Sequence, residues 1–344
     1  LPAEWDLTVT SEKMVPEISR QSDYASPIKG ARQGGMGVKV FAGRATRTLA
    51  QQTCSCLGIS LGQADIFKFS NDNTFVRVLD NVRNCDVFVM QTSTPPVDEA
   101  FMELLIMVDT LRRASARTIT AILPYYPYVR SDKKDQPRVP ITARLVADLL
   151  VTAGVDRVVT VDLTADQIQG FFTIPADHLT AQPVFGRYFR DKKLPSPVVV
   201  APDPGAVKRA QRFSETIGAS IAFIDKRRVG SEVKATTVIG DVRGRQAILF
   251  DEEVDHGSTL VQAVEMLVSQ EVDEVYAACT HAVLSGTAPG RLSNTALKEL
   301  VVTDTIPIPA EKRWDGLVVL SIAPLLGECI KRIDYGQSVS ALFG

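Results

Sequence analysis

Ala247-Ile-Leu-Phe-Asp-Glu-Glu-Val-Asp-His-Gly-Ser-Thr259 is the stretch on which the fold turns. An apolar run goes straight into acids, then into Gly257, Ser258 and Thr259, and then into the apolar-periodic segment 260–267. A short, continuously apolar run reads as a strand buried on both faces, and a small-residue turn before a 3.6-residue period opens a helix. The unit is strand, loop, helix, the repeating unit of parallel α/β sheets.

The same unit recurs on both sides of it. Candidate strands lie at 38–41, 87–91, 118–123, 158–161, 198–201, 221–224, 247–250, 274–278 and 317–320. Segments 100–114 and 141–153 read as helices, the second with an apolar stripe of Ile141, Leu145 and Leu149 and a stop at Gly154. The fold class expected is α/β, with two tandem doubly wound domains of similar build and mostly parallel sheets, although no tandem repeat shows in the residues. The first domain is placed at 38–182 and the second at 183–344, its last residues packing back on the first. Residues 1–37 differ in character: mixed charge, Pro2, Pro16, Pro27 and a glycine-rich end, without the apolar core of a secretory signal and too acidic for a transit peptide. They read as an extension outside the fold.

Composition narrows the function. The 344 residues suit about two domains, and 38 Lys+Arg against 40 Asp+Glu leave no net field to attract nucleic acid or an anionic membrane. No apolar run reaches the length that spans a bilayer. Cys54, Cys56, Cys85, Cys279 and Cys329 lack the spacings of a zinc site or a disulfide framework, which fits a reducing cytoplasm. Cys54 and Cys56, two apart on a helix, point to different sides and read as small apolar residues.

In open α/β sheets ligands bind at the carboxyl ends of strands, where loops and helix N-termini present free donors. Four clusters fall there. In the first, Asp251 and Glu252 can accept from neighbouring sugar hydroxyls while Asp255, His256, Gly257, Ser258 and Thr259 wrap a phosphate. A solvated acidic turn with Ser258 or Thr259 capping a helix is the other reading. The second, Tyr125-Tyr-Pro-Tyr-Val-Arg-Ser-Asp-Lys-Lys-Asp-Gln-Pro-Arg-Val-Pro140, is a proline-fixed loop whose Arg130, Lys133, Lys134 and Arg138 can meet a polyphosphate. Its Asp132 and Asp135 can pair with those cations or hold metal-bound water, and a salt-bridged surface loop is the alternative. The third, Phe223-Ile-Asp-Lys-Arg-Arg228, puts cations just after a strand, and the fourth puts Asp203 at the end of another.

Taken together these segments closely resemble the ribose-phosphate diphosphokinase (phosphoribosyl pyrophosphate synthetase) family, from about Val38 to Gly344. The most telling stretches are Phe101-Met-Glu-Leu-Leu-Ile-Met107, Arg138-Val-Pro-Ile141, Asp166-Gln-Ile-Gln-Gly-Phe-Phe172, Ile224-Asp-Lys-Arg-Arg228 and Val301-Val-Thr-Asp-Thr-Ile-Pro307. The resemblance implies two phosphoribosyltransferase-like domains with the active site between them, in a homo-oligomer, commonly a hexamer. It implies transfer of the diphosphate of ATP to ribose 5-phosphate with Mg²⁺. Phe69, Asn71 and Asn73 would contact adenine, in a neighbouring subunit's site, and Arg130, Ser131, Asp132 and Asp135 would bind ATP. Asp203 would approach metal and ribose, Lys226 and Arg228 would stabilise the transferring diphosphate, and residues 251–259 would hold ribose 5-phosphate.

The chain departs from the family pattern at several of these positions. Thr164 stands where the family usually has a metal-site His, Glu252 for Asp, His256 for Thr, Ser258 for Gly, Asn73 for Glu and Ser131 for Gln. Two rivals stay open: a non-catalytic regulatory subunit of a synthetase complex, and a phosphoribosyltransferase.

Overall fold

The computed structural model describes residues 37–229 and 232–343. Of the extension expected over residues 1–37, all but Gly37 lies outside the described residues. The first half lays down β1 (Val38–Ala42), α1 (Arg47–Leu57), β2 (Ala64–Lys68), β3 (Thr74–Val78), β4 (Asp86–Met90), α2 (Val97–Arg113), β5 (Thr118–Leu123), α3 (Thr142–Ala153), β6 (Arg157–Val161) and β7 (Ala176–Leu179). Its sheet runs β1-β4-β5-β6-β7 and is parallel throughout, while β2 and β3 form a separate antiparallel hairpin. After α4 (Gln182–Lys192) come β8 (Pro197–Ala201), α5 (Val207–Ile217), β9 (Ser220–Val229), β10 (Glu232–Ile239), β11 (Gln246–Val254), α6 (Ser258–Ser269), β12 (Glu274–Ala282), α7 (Ala288–Ser293), β13 (Leu297–Thr303), β14 (Leu317–Leu320) and α8 (Ala323–Asp334).

The second sheet runs β10-β9-β8-β11-β12-β13-β14, parallel except for the β9/β10 pair. From β8 the chain moves outward to β9 and β10, then returns to the other side of β8 and continues to β14. The strand order therefore reverses between β8 and β11. A crevice opens at such a point, because the loops leaving the two strands diverge to opposite faces of the sheet.

Both faces of each sheet are covered. Phe41, Val87, Val89 and Leu123 turn to α2 and α3, and Val198, Leu249 and Val275 turn to α6. Their neighbours along the strands, Val40, Phe88 and Val159 in the first sheet and Val199, Ile248 and Val301 in the second, belong to a single apolar cluster. Phe185 of α4, Phe213 of α5 and Leu326 of α8 join it, so one core ties the two halves. The chain's last helix returns to α1 at close range: a Cβ built on Gly327 would lie 3.2 Å from Cys56 Cβ. Cys54 is buried there, and burial pushes its thiol up to about 11.

Three readings of the sequence change. Helix α3 buries Ala143, Val146, Ala147 and Leu150, while Leu145 is 53 % and Leu149 37 % exposed. The small alanines let the helix sit close to its neighbours, so the expected Ile141, Leu145, Leu149 stripe is not the buried one. Strand β11 runs on to Val254 and β9 to Val229, so Asp251, Glu252 and Glu253 and the Lys226 to Arg228 cations sit within strands rather than after them. Backbone pairing with β12 (Asp251 opposite Cys279) and with β10 (Lys226 opposite Thr236) prolongs them regardless of side-chain charge. Strands β2, β3, β7, β10 and β13 are additional to those expected; the first four mix polar with apolar residues and lack the continuous apolar run.

Candidate active site

Strand β8 delivers Asp203 to the crevice, where its Oδ1 accepts from Ala206 N at 3.1 Å and closes a tight turn. Strand β11 delivers Asp251 beside it. From there the chain turns at Gly257, with φ of +75°, directly into α6, whose N-terminus no side chain caps. Its first amides are therefore free to point at an anion. A Cβ built on Gly257 would meet Leu292 at 3.2 Å. Both the left-handed backbone and this contact oppose a side chain, so Gly257→Ala is expected to cost about 1–2 kcal/mol. Thermal melting should show a Tm lower by a few degrees; an unchanged Tm would mean that the turn yields without strain.

These elements enclose a cavity of about 470 Å³. The residues expected around a sugar phosphate, Asp203, Asp251, Glu252, Asp255, His256, Gly257, Ser258 and Thr259, all line it. Arg130 and Thr164 reach it from the first half of the chain, so the cavity lies between the halves. His256 stands at its rim with 70 % of its side chain exposed and Nε2 3.7 Å from Asp255 Oδ2.

The acids are held by cations from both halves. Arg209 of α5 bonds Asp251 at 3.1 Å and also pairs with Glu252. Arg130 lies 3.1 Å from Asp255 Oδ2. Tyr125 Oη donates to Glu253 Oε2 at 3.0 Å. Burial dominates the titration of Asp251 and pushes its carboxyl up to about 7; Arg209 works against the rise, while Asp203 and Glu253 add to it. Burial likewise raises Glu253. Asp255 Oδ1 is buried without a hydrogen-bond partner.

Below the cavity the halves are fastened by buried polar groups. Thr280 Oγ1 donates to Asp162 Oδ2 at 2.7 Å. His281 Nε2 lies 3.1 Å from the Val161 carbonyl and 3.0 Å from that of Asp162. Burial lowers the pKa of His281, and since carbonyls only accept, the ring carries its proton on Nε2 and takes the Thr305 hydroxyl at Nδ1. This fixes the end of β6 just before Thr164.

Comparison with known proteins settles the kinship. Residues 38–154 match the N-terminal domain of ribose phosphate pyrophosphokinase, and residues 227–344 match the phosphoribosyl synthetase-associated domain. The ribose-phosphate pyrophosphokinase of Caldanaerobacter subterraneus is 49% identical over 308 residues, 89% of this chain and 98% of that protein. The chain belongs to the ribose-phosphate pyrophosphokinase family. The enzyme of that name from Bacillus subtilis is 45% identical over 311 residues, 90% of this chain and 98% of its own length. The crystal structure of phosphoribosylpyrophosphate synthetase from Mycobacterium smegmatis superposes with a TM-score of 0.83 at 45% identity, covering 87% of this chain and 99% of that one. Membership makes the chain an enzyme of the transferase type.

Within this pyrophosphokinase fold the residues expected at ATP are dispersed. Ser131 Oγ lies 3.2 Å from the Thr142 amide, which donates to it at the start of α3, and Asp132 Oδ2 accepts from Gln167 at 2.6 Å. Asp135 is exposed on the same loop. None of the three lines the cavity. Phe69, Asn71 and Asn73 sit on the turn of the β2–β3 hairpin, away from the cavity, with Phe69 49 % exposed and packed edge-on against Phe67 and Phe75. Lys226 and Arg228 lie on β9 beyond Phe223, its last residue paired with β8; their side chains are outside the described ones.

Three participants were not singled out from the sequence: Arg209, Tyr125 and Glu253. Arg209 follows a strand-end acid by six residues in the first turn of a helix, a spacing that could have flagged it. Tyr125 and Glu253 fall within quoted clusters, but nothing local marks their pairing, because each has its partner on the other half of the chain.

Proposed function

We propose that the chain transfers the terminal diphosphate of ATP to the anomeric hydroxyl of ribose 5-phosphate, giving 5-phosphoribosyl 1-diphosphate and AMP for nucleotide biosynthesis. The observation that carries this reading is the cavity between the halves, which has an acid row and an uncapped helix N-terminus on one side and Arg130 on the other. Asp251 and Glu252 accept from the ribose hydroxyls; the α6 amides with Ser258 and Thr259 hold the 5-phosphate. His256, exposed at the rim, adds a donor there. Arg130 meets the polyphosphate, and Asp132 and Asp135 extend its loop.

The anomeric oxygen attacks the β-phosphorus, a P–O bond forms there, the α,β-bridging P–O bond breaks with AMP as the leaving group, and the hydroxyl proton is released. Lys226 and Arg228 offset the charge on the transferring group. No covalent intermediate on the protein is needed.

The described residues hold no group of three or more His, Cys, Asp or Glu that would cage a metal by themselves. Mg²⁺ asks for less, since it keeps several waters and takes one or two carboxylates with substrate phosphates. Asp203, the unpartnered Oδ1 of Asp255 and the Thr164 hydroxyl are oxygen donors of that kind. Bound with ATP, Mg²⁺ supplies positive charge to the phosphoryl oxygens.

The proposal extends to assembly: a homo-oligomer, commonly a hexamer in this family, with Phe69, Asn71 and Asn73 serving adenine in a neighbouring subunit's site. It places the domains at 38–182 and 183–344 and the protein in the cytoplasm. No described helix is long and apolar enough to cross a membrane. The test is incubation of the purified chain with ribose 5-phosphate, ATP and Mg²⁺. AMP and phosphoribosyl diphosphate are expected in equal amounts; a silent chain that raises the activity of a co-purifying synthetase would replace the proposal with a regulatory subunit.

A further inference from the structure

The floor of the cavity carries more negative charge than a sugar with two hydroxyls employs. Asp251 and Glu252 are shared with Arg209, at the sugar end. Glu253 and Asp255 are engaged from the opposite half of the chain, by Tyr125 and Arg130.

Glu253 is the pivot of that second pair. Only 10 % of its side chain is exposed, and it receives the Tyr125 phenol at 3.0 Å. The tyrosine is itself immobilised: its ring lies 4.8 Å from that of His281, and its amide donates to Thr92 Oγ1 at 3.2 Å, which in turn donates to the Thr305 carbonyl at 2.6 Å. The root of the 124–140 loop is thus fastened to the second half of the chain at three points, Glu253, His281 and, through Thr92, Thr305, five residues before Arg130. Further along, Arg130 Nη1 reaches Asp255 Oδ2 at 3.1 Å and comes within 3.7 Å of Glu253 Oε1. Unlike Tyr125, Arg130 is loosely held, with 68 % of its side chain in solvent.

We infer that Glu253 is a positioning residue: it anchors the Tyr125 to Arg130 loop across the cavity and, with Asp255, detains the Arg130 guanidinium until a polyphosphate takes it. The inference rests on the proposed function only in naming ATP as that polyphosphate. A triphosphate carries more charge than either carboxylate and offers the guanidinium a bidentate partner, so it wins the exchange. The exchange is cheap because an exposed ion pair is worth little, yet it is not free, and Glu253 also repels the incoming charge.

Two substitutions separate the anchoring from the charge. Glu253→Gln keeps an acceptor for the Tyr125 hydroxyl and removes the charge that faces Arg130. Tyr125→Phe keeps the charge and removes the hydrogen bond through which Glu253 anchors the loop. The readout is the dissociation constant of α,β-methylene ATP with Mg²⁺ for the full chain, measured by calorimetry and independent of turnover. Glu253→Gln is expected to bind about three- to fivefold more tightly than wild type, the factor an exposed ion pair commands, and Tyr125→Phe more weakly than wild type. In an Arg130→Gln background the gain from Glu253→Gln should fall by more than half. Equal or weaker binding by Glu253→Gln, tighter binding by Tyr125→Phe, or a gain untouched by Arg130→Gln, overturns the inference and leaves the proposed function standing. No binding by wild type and Glu253→Gln alike overturns both.

Discussion

Lys226→Ala is expected to lower kcat for diphosphate transfer by about 10²-fold or more, corresponding to about 3 kcal/mol of lost charge stabilisation. In such transfer the leaving and entering oxygens share charge with the phosphoryl group, and the protein's main contribution is positive charge held in place. Strand β9 runs beside β8 and continues past Phe223, the last residue of that pairing, which carries the backbone of Lys226 beyond the end of β8 toward the level of Asp203. A melting temperature close to that of wild type would show that the loss falls on the chemistry and not on folding. Steady-state kinetics with both substrates saturating is the check. An unchanged kcat removes Lys226 from the mechanism and leaves the charge to Arg228.

Asp251→Asn trades binding for stability. In the proposed reaction Asp251 accepts from sugar hydroxyls through charge-assisted bonds of about 1.5–3 kcal/mol each, so its neutral isostere should raise KM for ribose 5-phosphate by about 10²-fold. Folding responds in the other direction. The native carboxyl titrates near 7 against an ordinary 3.8. A raised native pKa means that Asp251 favours folding fully only below its unfolded value, and that this contribution is lost as pH rises through 7. The ionised, buried form is therefore a burden at pH 8. Arg209 relieves part of it, and 26 % of the side chain still meets solvent, so removing the charge should add about 1–2 kcal/mol at pH 8. The gain should shrink between pH 7 and pH 4. Denaturation of wild type and Asp251→Asn across that range tests the sign: a variant less stable than wild type at pH 8 would show that the Arg209 pair outweighs the cost of burial.

Much of the lining of the candidate site could be read along the chain because it is local there. The run from Asp251 to Thr259 is one strand end, one turn and one helix start, and its chemistry depends on neighbours a few residues away. The ends of the elements were harder. The charges of Asp225 to Arg228 and of Asp251 to Glu253 look like the close of a strand, whereas a strand lasts as long as a neighbouring backbone offers hydrogen bonds. In α3 the period was right and the face was wrong, since packing selected Ala143 and Ala147 over Leu145 and Leu149.

The sequence by itself determined the α/β class, the strand-loop-helix unit that carries the acids, and, through its segment-by-segment resemblance, the family. Each depends on periodicity or on residues contiguous in the chain. Only the tertiary structure decided that the strand order reverses between β8 and β11, that Arg209 pairs with Asp251, and that Tyr125 reaches Glu253 across 128 positions. Those pairings join residues far apart in the chain, and no local pattern encodes them. They depend on the shared core of α1, α4, α5 and α8, which ties the two sheets together.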